Sequence, residues 1–248
     1  MAFLERHLNR GFRRFSGVLL AVCALGFFAS AARAQPEPPP AAFRTLAISA
    51  DVSEVFYDLR GKPAPVVAAT AGLSMPYEIP TGGRVVFYRL QPAETPGGKP
   101  RRVTVTDANL NGPGPFLVFM AASPESPGGI WVQVVEDSWA THPAETIRLF
   151  NFSRRNVAVK IVIKNVVAEL TSGQDRVLPY VANGQFWMQA ATKEPEGWVM
   201  RVSAPQVAPP TARITAIMFD QQPSADRPVT HELDLVKYID VAPKPPAP

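Results

Sequence analysis

Cysteine is all but missing from this chain: Cys23 is the only one in 248 residues. It lies in a segment expected to be removed, so the mature chain can form no disulfide and must be held by packing. Histidine is almost as scarce, with only His142 and His231 beyond residue 34. Neither has zinc-ligand spacing and no thiolate can join them, so no metal site is expected. Amphipathic helical stripes are lacking as well. Twenty-seven prolines and sixteen glycines divide the chain into short runs, and no window of about twelve residues keeps a 3.6-residue apolar period. The mature chain has no Gly-x-Ser-x-Gly elbow, His-Glu-x-x-His pair, Walker loop or dinucleotide fingerprint. The expectation is therefore a non-enzyme without a cofactor.

An excess of one charge is also missing once the N-terminus is set aside. The full chain has 25 basic and 21 acidic residues, but residues 1–34 hold five arginines and one glutamate. The remainder is formally neutral, which argues against nucleic acid as a partner. Long apolar runs are limited to Gly17–Ala29, short of the roughly 20 residues a comfortable membrane span requires. Arg6, Arg10, Arg13 and Arg14 precede that run, and Ala32-Arg33-Ala34 follows it as an A-x-A site. Residues 1–34 thus read as a signal peptide, with the mature chain beginning at Gln35 in the periplasm or outside the cell, and no stable membrane span left after cleavage. Residues 35–42 and 242–248 read as a proline-rich linker and tail.

What is present is strand pattern. Val157, Val159, Ile161 and Ile163 alternate with Ala158, Lys160, Val162 and Lys164, the period of a half-buried strand. Trp198, Met200 and Val202 alternate in the same way, and Trp131–Val135 and Arg102–Thr106 give further strands. Phe116–Met120 is apolar throughout and Ile214–Phe219 is so apart from Thr215, as in central strands covered on both sides. Pro96-Gly-Gly98, Gly112–Pro115 and Pro127-Gly-Gly129 punctuate the series.

These signals recur in order. Phe43–Ile48 matches Ile147–Phe152, Val55-Phe-Tyr57 matches Ala158-Val-Lys160, and Phe116–Met120 matches Ile214–Met218. A Pro-Tyr pair, a glycine turn and an aromatic strand occur at Pro76-Tyr77 and again at Pro179-Tyr180, and Trp131–Val135 corresponds to His231–Leu235. The spacing predicts an all-β chain of two tandem immunoglobulin-like or related Greek-key β-sandwich units, residues 43–137 and 146–241, with about seven strands each and a linker over 138–145.

Trp131, Trp187 and Trp198 sit in strand-like runs and are expected in the core. Trp139 lies in the linker, where it would wedge the units together or anchor a partner or glycan. Asp107, Asn109 and Asn111 lie in the richest polar loop, where they would bind a sugar or cation or satisfy the turn itself. Tyr77 and Tyr180 are expected to fasten sheet corners through their hydroxyls. His142 reads as a solvated or locally bonded loop residue and His231 as a surface strand residue. Asp220 with Asp226, and Glu136 with Asp137, are carboxylate neighbours without the arrangement of an acid–base pair.

Ile147-Arg-Leu-Phe-Asn-Phe-Ser153, Val157-Ala-Val159 and Leu170-Thr-Ser-Gly-Gln174 resemble the opening strands and polar turn of small secreted bacterial β-sandwich domains of unassigned role. That resemblance covers about a third of the second unit and implies an exported all-β module. Taken together, the readings favour a non-catalytic protein-interaction or structural module of the cell envelope with an envelope protein as partner. Glycan binding to a polysaccharide through Trp139 and the Asp107 loop is the alternative, and an unfamiliar hydrolase the third reading.

Overall fold

The computed structural model describes residues 41–241, apart from 96, 127, 163, 181–183, 222, 224 and 227–231. Residues 1–34, read above as a signal peptide, the C-terminal tail and His231 lie outside the described residues. Everything regular among those described is β-strand. The first half runs β1 (Ala42–Ala47), β2 (Val52–Leu59), β3 (Lys62–Ala68), β4 (Tyr77–Glu78), β5 (Arg84–Gln91), β6 (Arg101–Asn109), β7 (Phe116–Ala122) and β8 (Ile130–Glu136). The second runs β9 (Thr146–Asn151), β10 (Val157–Ile161), β11 (Val166–Leu170), β12 (Asp175–Pro179), β13 (Gly184–Glu194), β14 (Gly197–Ala208), β15 (Ala212–Asp220) and β16 (Leu233–Val241). Among the described residues each half thus has eight strands rather than about seven, the extra ones being short edge strands such as β4 whose two residues carry no periodic signal.

Each half is a β-sandwich, and the two have the same topology. Strand orders are β4-β1-β7-β8 and β3-β2-β5-β6 in the first, and β12-β9-β15-β16 and β11-β10-β13-β14 in the second. In both, the first strand pairs in parallel with the seventh: Phe43 faces Phe116 and Ile147 faces Ile214. Bulges coincide as well. The register between β5 and β6 slips between Phe87 and Tyr88, and that between β13 and β14 slips between Ala190 and Ala191.

These registers keep two of the sequence matches and shift the others. Phe43–Ile48 with Ile147–Phe152, and Phe116–Met120 with Ile214–Met218, hold. Tyr77 stands opposite Phe43, whereas Leu178 stands opposite Ile147, so Tyr77 corresponds to Leu178 and not to Tyr180. Val55 and Tyr57 point inward as Val157 and Val159 do, one step from the expected pairing with Ala158–Lys160. Trp131 opposes Ala121 and Asp234 opposes Phe219, so Trp131 corresponds to Asp234 rather than to His231. In each case similar composition drew the alignment off by a few residues, while strand pairing fixes it.

Three cores result. Phe43, Tyr57, Phe87, Val118 and Met120 fill the first sandwich, and Ile147, Val159, Phe186, Met188 and Met218 fill the second. A third core joins them. Leu46, Ile48, Leu117, Phe119 and Val135, on the outer face of the β4-β1-β7-β8 sheet, pack with Phe150, Ile217 and Tyr238 of the β12-β9-β15-β16 sheet. Leu46 occupies the place of Phe150, Phe119 that of Ile217, and Val135 that of Tyr238, so the two halves meet through corresponding surfaces. The apolar run in β7, and that in β15 broken only by the buried Thr215, follow from this, since both faces of each strand are covered. Phe119 lies 4.6 Å from Phe150 and 4.9 Å from Phe152, centroid to centroid.

One glycine explains a turn. A Cβ on Gly128 would strike the backbone of Val105, so Gly128 serves close approach of a loop to a strand, beside the bend at Gly129 with its positive φ.

Candidate functional site

Charged side chains collect first at the junction of the halves. Arg44 of β1 donates to Asp137 Oδ2 at 3.0 Å and to Asp240 Oδ2 at 2.8 Å. Arg213 of β15 reaches the same two oxygens, at 3.0 Å each, and donates to the Asp137 carbonyl at 2.8 Å. Asp137 and Arg213 are buried, with side chains only 4% and 3% exposed. His142 is wholly buried, with Nδ1 3.4 Å from Asp137 Oδ1 and no hydrogen-bond partner for Nε2 among the described residues. Burial works to raise the Asp137 carboxyl, but the His142 hydrogen bond and the Arg213 and Arg44 charges outweigh it and hold the pKa below the ordinary aspartate value. Asp240 is lowered too, against its own burial, by hydrogen bonds from Arg44 and Arg213.

A second cluster sits at the turn end of the β13–β14 hairpin. Glu194 accepts from Arg201 at 2.7 Å, Thr192 at 2.8 Å and Arg155 at 2.7 Å, and these bonds draw its pKa down to about 2. Asp220 accepts from Ser153 Oγ at 2.7 Å, the Arg154 amide at 3.0 Å and Arg155 Nη2 at 2.6 Å. Asp220 is thus a structural acceptor in an arginine clamp, while Asp226 is exposed.

The residues singled out from sequence separate into two places. Trp139 is half-buried in the connection between β8 and β9, and the Arg213 guanidinium stacks over its ring at 4.1 Å. Asp107 and Asn109 belong to β6 rather than to a loop, and both are exposed. Asp107 Oδ2 accepts from Arg84 Nε at 2.9 Å, and Asn109 faces Arg84 across the strand pair. Asn111, also exposed, lies against Gly83, where an added Cβ would strike its Oδ1. The polar trio therefore shares one end of the β5–β6 hairpin, while Trp139 keeps the company of the junction cluster.

The tyrosine expectation has direct contacts behind it. The Tyr180 hydroxyl donates to the Ala212 carbonyl at 2.7 Å, and the Tyr77 hydroxyl accepts from the Val67 amide at 3.1 Å. Both fasten a corner, although from non-corresponding positions.

The tryptophans expected in the core face outward. Trp131, Trp187 and Trp198 are 36%, 43% and 45% exposed. Trp187 alternates with Phe186 and Met188, which take the inward positions. Trp198 is turned out by the bulge, which skips Arg201 and so puts Trp198 and Met200 on the face opposite to Val202. Sequence reasoning missed this site because a bulge cannot be read from alternation. The available signal was the inward parity of Phe186 and Met188.

Trp187 and Trp198 share the outer face of the β11-β10-β13-β14 sheet. Across its strands run two rows, Val167, Lys160, Gln189 and Ser203, then Glu169, Ala158, Ala191 and Met200. Trp187 Nε1 donates to Ser203 Oγ at 3.0 Å, and Lys193 Nζ stands 6.0 Å from the centre of the Trp198 ring. No family model matches the chain, and no characterised protein matches it.

Proposed function

We propose that this chain is a non-catalytic, exported module of the bacterial cell envelope that supports or binds another envelope protein. The observation that carries this reading is the use made of its titratable groups. Asp137, Asp240, Asp220 and Glu194 are each committed to arginines, with pKa values below the ordinary range. A general acid at neutral pH needs the opposite shift. His142, the one described histidine, is sealed within the junction and bonded to Asp137. The Arg44–Asp240 and Arg213–Asp137 pairs tie the two sandwiches together, and Asp220 and Glu194 brace the second through Arg155, as expected of a scaffold that presents sheet faces and loops. The export part rests on residues 1–34 and is checked by N-terminal sequencing of the protein from fractionated cells, which should begin at Gln35 in the periplasm or medium. Crosslinking in intact cells followed by affinity capture should recover one stoichiometric envelope protein, released by excess unlabelled protein. Recovery of the chain uncut in the cytoplasm would defeat the reading.

A further inference from the structure

The duplication supplies an internal control for the outer sheets. Aligned by their bulges, Phe56, Arg84, Tyr88 and Arg102 of the first half occupy the places of Ala158, Trp187, Ala191 and Trp198 of the second. The first face is closed. Phe56 and Tyr88 stack at 6.2 Å, the Arg102 guanidinium lies 4.8 Å over Tyr88, and Asp58 bonds both Tyr88 and Arg102. Arg84 is paired with Asp107. The second face is open: alanines replace the stacked rings, and exposed indoles replace the paired arginines.

We propose that this open face, on the outside of the β11-β10-β13-β14 sheet, binds an acidic polysaccharide. Trp187 stands opposite Pro205, yet its Nε1 reaches Ser203, two residues along the neighbouring strand. The indole therefore leans along the sheet toward Ser203, fixed by a hydrogen bond, and remains 43% exposed. Trp198 pairs with Lys193, six residues from Trp187 along β13, a separation of about 20 Å at the strand rise. Only an extended ligand of several units spans both rings. Ala158 and Ala191 give a low floor between them. Gln189 and Ser203 offer neutral hydrogen-bonding groups for hydroxyls, and indole faces suit the C–H faces of sugar rings.

Charge selects the ligand. Lys160 lies beside Gln189 in the middle of the face and Lys193 beside Trp198, and neither makes an ion pair among the described residues. Glu169, on the outermost strand, is the one carboxylate in the two rows. Carboxylate-bearing sugars meet two ammonium groups there, neither of them neutralised by a carboxylate of the described residues. A flat protein surface is less well matched, because Lys160, Gln189 and Ser203 interrupt the apolar positions. This binding role does not depend on the scaffold reading.

Affinity electrophoresis of the protein through gels containing polygalacturonate, alginate or neutral dextran tests it. The protein should be retarded by the acidic polymers and pass freely through dextran. Trp187→Ala and Trp198→Ala should each weaken retardation by about tenfold, as loss of one aromatic contact implies. Ala191→Tyr, which copies the first sheet at the matching position, should block the face. Lys160→Glu with Lys193→Glu should abolish binding, with thermal melting of every variant near that of the parent. No retardation in the acidic gels, equal retardation in dextran, or retardation untouched by the tryptophan substitutions would overturn the proposal.

Discussion

Asp137 is the residue on which the junction turns. Its carboxylate faces two arginines and a histidine from three different parts of the chain, and its side chain is almost fully covered. Removing one member of such a group leaves the others charged and out of water, which typically costs about 3–5 kcal/mol. Asp137→Ala should therefore lower stability in urea by about that amount, and more than Asp107→Ala, whose exposed pair with Arg84 is worth about 1 kcal/mol or less. The same residue predicts a pH response. Because the folded pKa values of Asp137 and Asp240 are depressed, their contribution is present above the unfolded aspartate value of about 3.9 and is lost as pH falls through the lower folded values. Melting temperature should fall below about pH 4, with a shallower fall in an Asp137→Asn, Asp240→Asn double variant. Equal slopes would show that these two carboxylates do not govern the acid limb.

At the scale of the strand, what could be read beforehand depended on whether alternation is unbroken. Val157, Val159 and Ile161 are inward as their period demands, and the apolar runs in β7 and β15 announced coverage on both faces. Trp198 is the counterexample. Its run alternates correctly with Met200 and Val202 in sequence, but the extra residue at Arg201 reverses the face partway along. Trp187 was misplaced for another reason: large apolar side chains suggest burial, whereas the inward positions beside it were already taken by Phe186 and Met188. The junction cluster was illegible because its members lie up to 196 residues apart in the chain and only the pairing of sheets brings them together. Tyr180 shows a local device that sequence did suggest. Its hydroxyl donates to carbonyls of Pro209 and Ala212, tying the chain after β12 to the turn between β14 and β15. Tyr180→Phe removes that bond while keeping the ring stacked on Phe186. The loss should be about 1 kcal/mol, visible as faster amide hydrogen exchange around residues 209–212.

For the molecule as a whole, the third core decides whether two sandwiches behave as two domains or one. Tandem units joined by an exposed linker would unfold separately, each with its own enthalpy. Here the sheets bury corresponding faces against each other, and Phe119 sits among Phe150 and Phe152 at the centre. Arg44 and Arg213 add ion pairs between the halves at Asp240 and Asp137. One calorimetric transition, with van't Hoff and measured enthalpies equal, is the expected behaviour of the parent protein. Phe119→Glu places a charge between the sandwiches without entering the core cluster of either, so it should divide that transition into two. Phe87→Ala, in the core of the first sandwich, should instead lower stability by about 3–5 kcal/mol, with the two halves still melting together. If Phe119→Glu only shifts a single transition to lower temperature, the coupling between the halves resides in the charged junction rather than in the shared apolar layer, and Asp137→Ala becomes the substitution that should separate them.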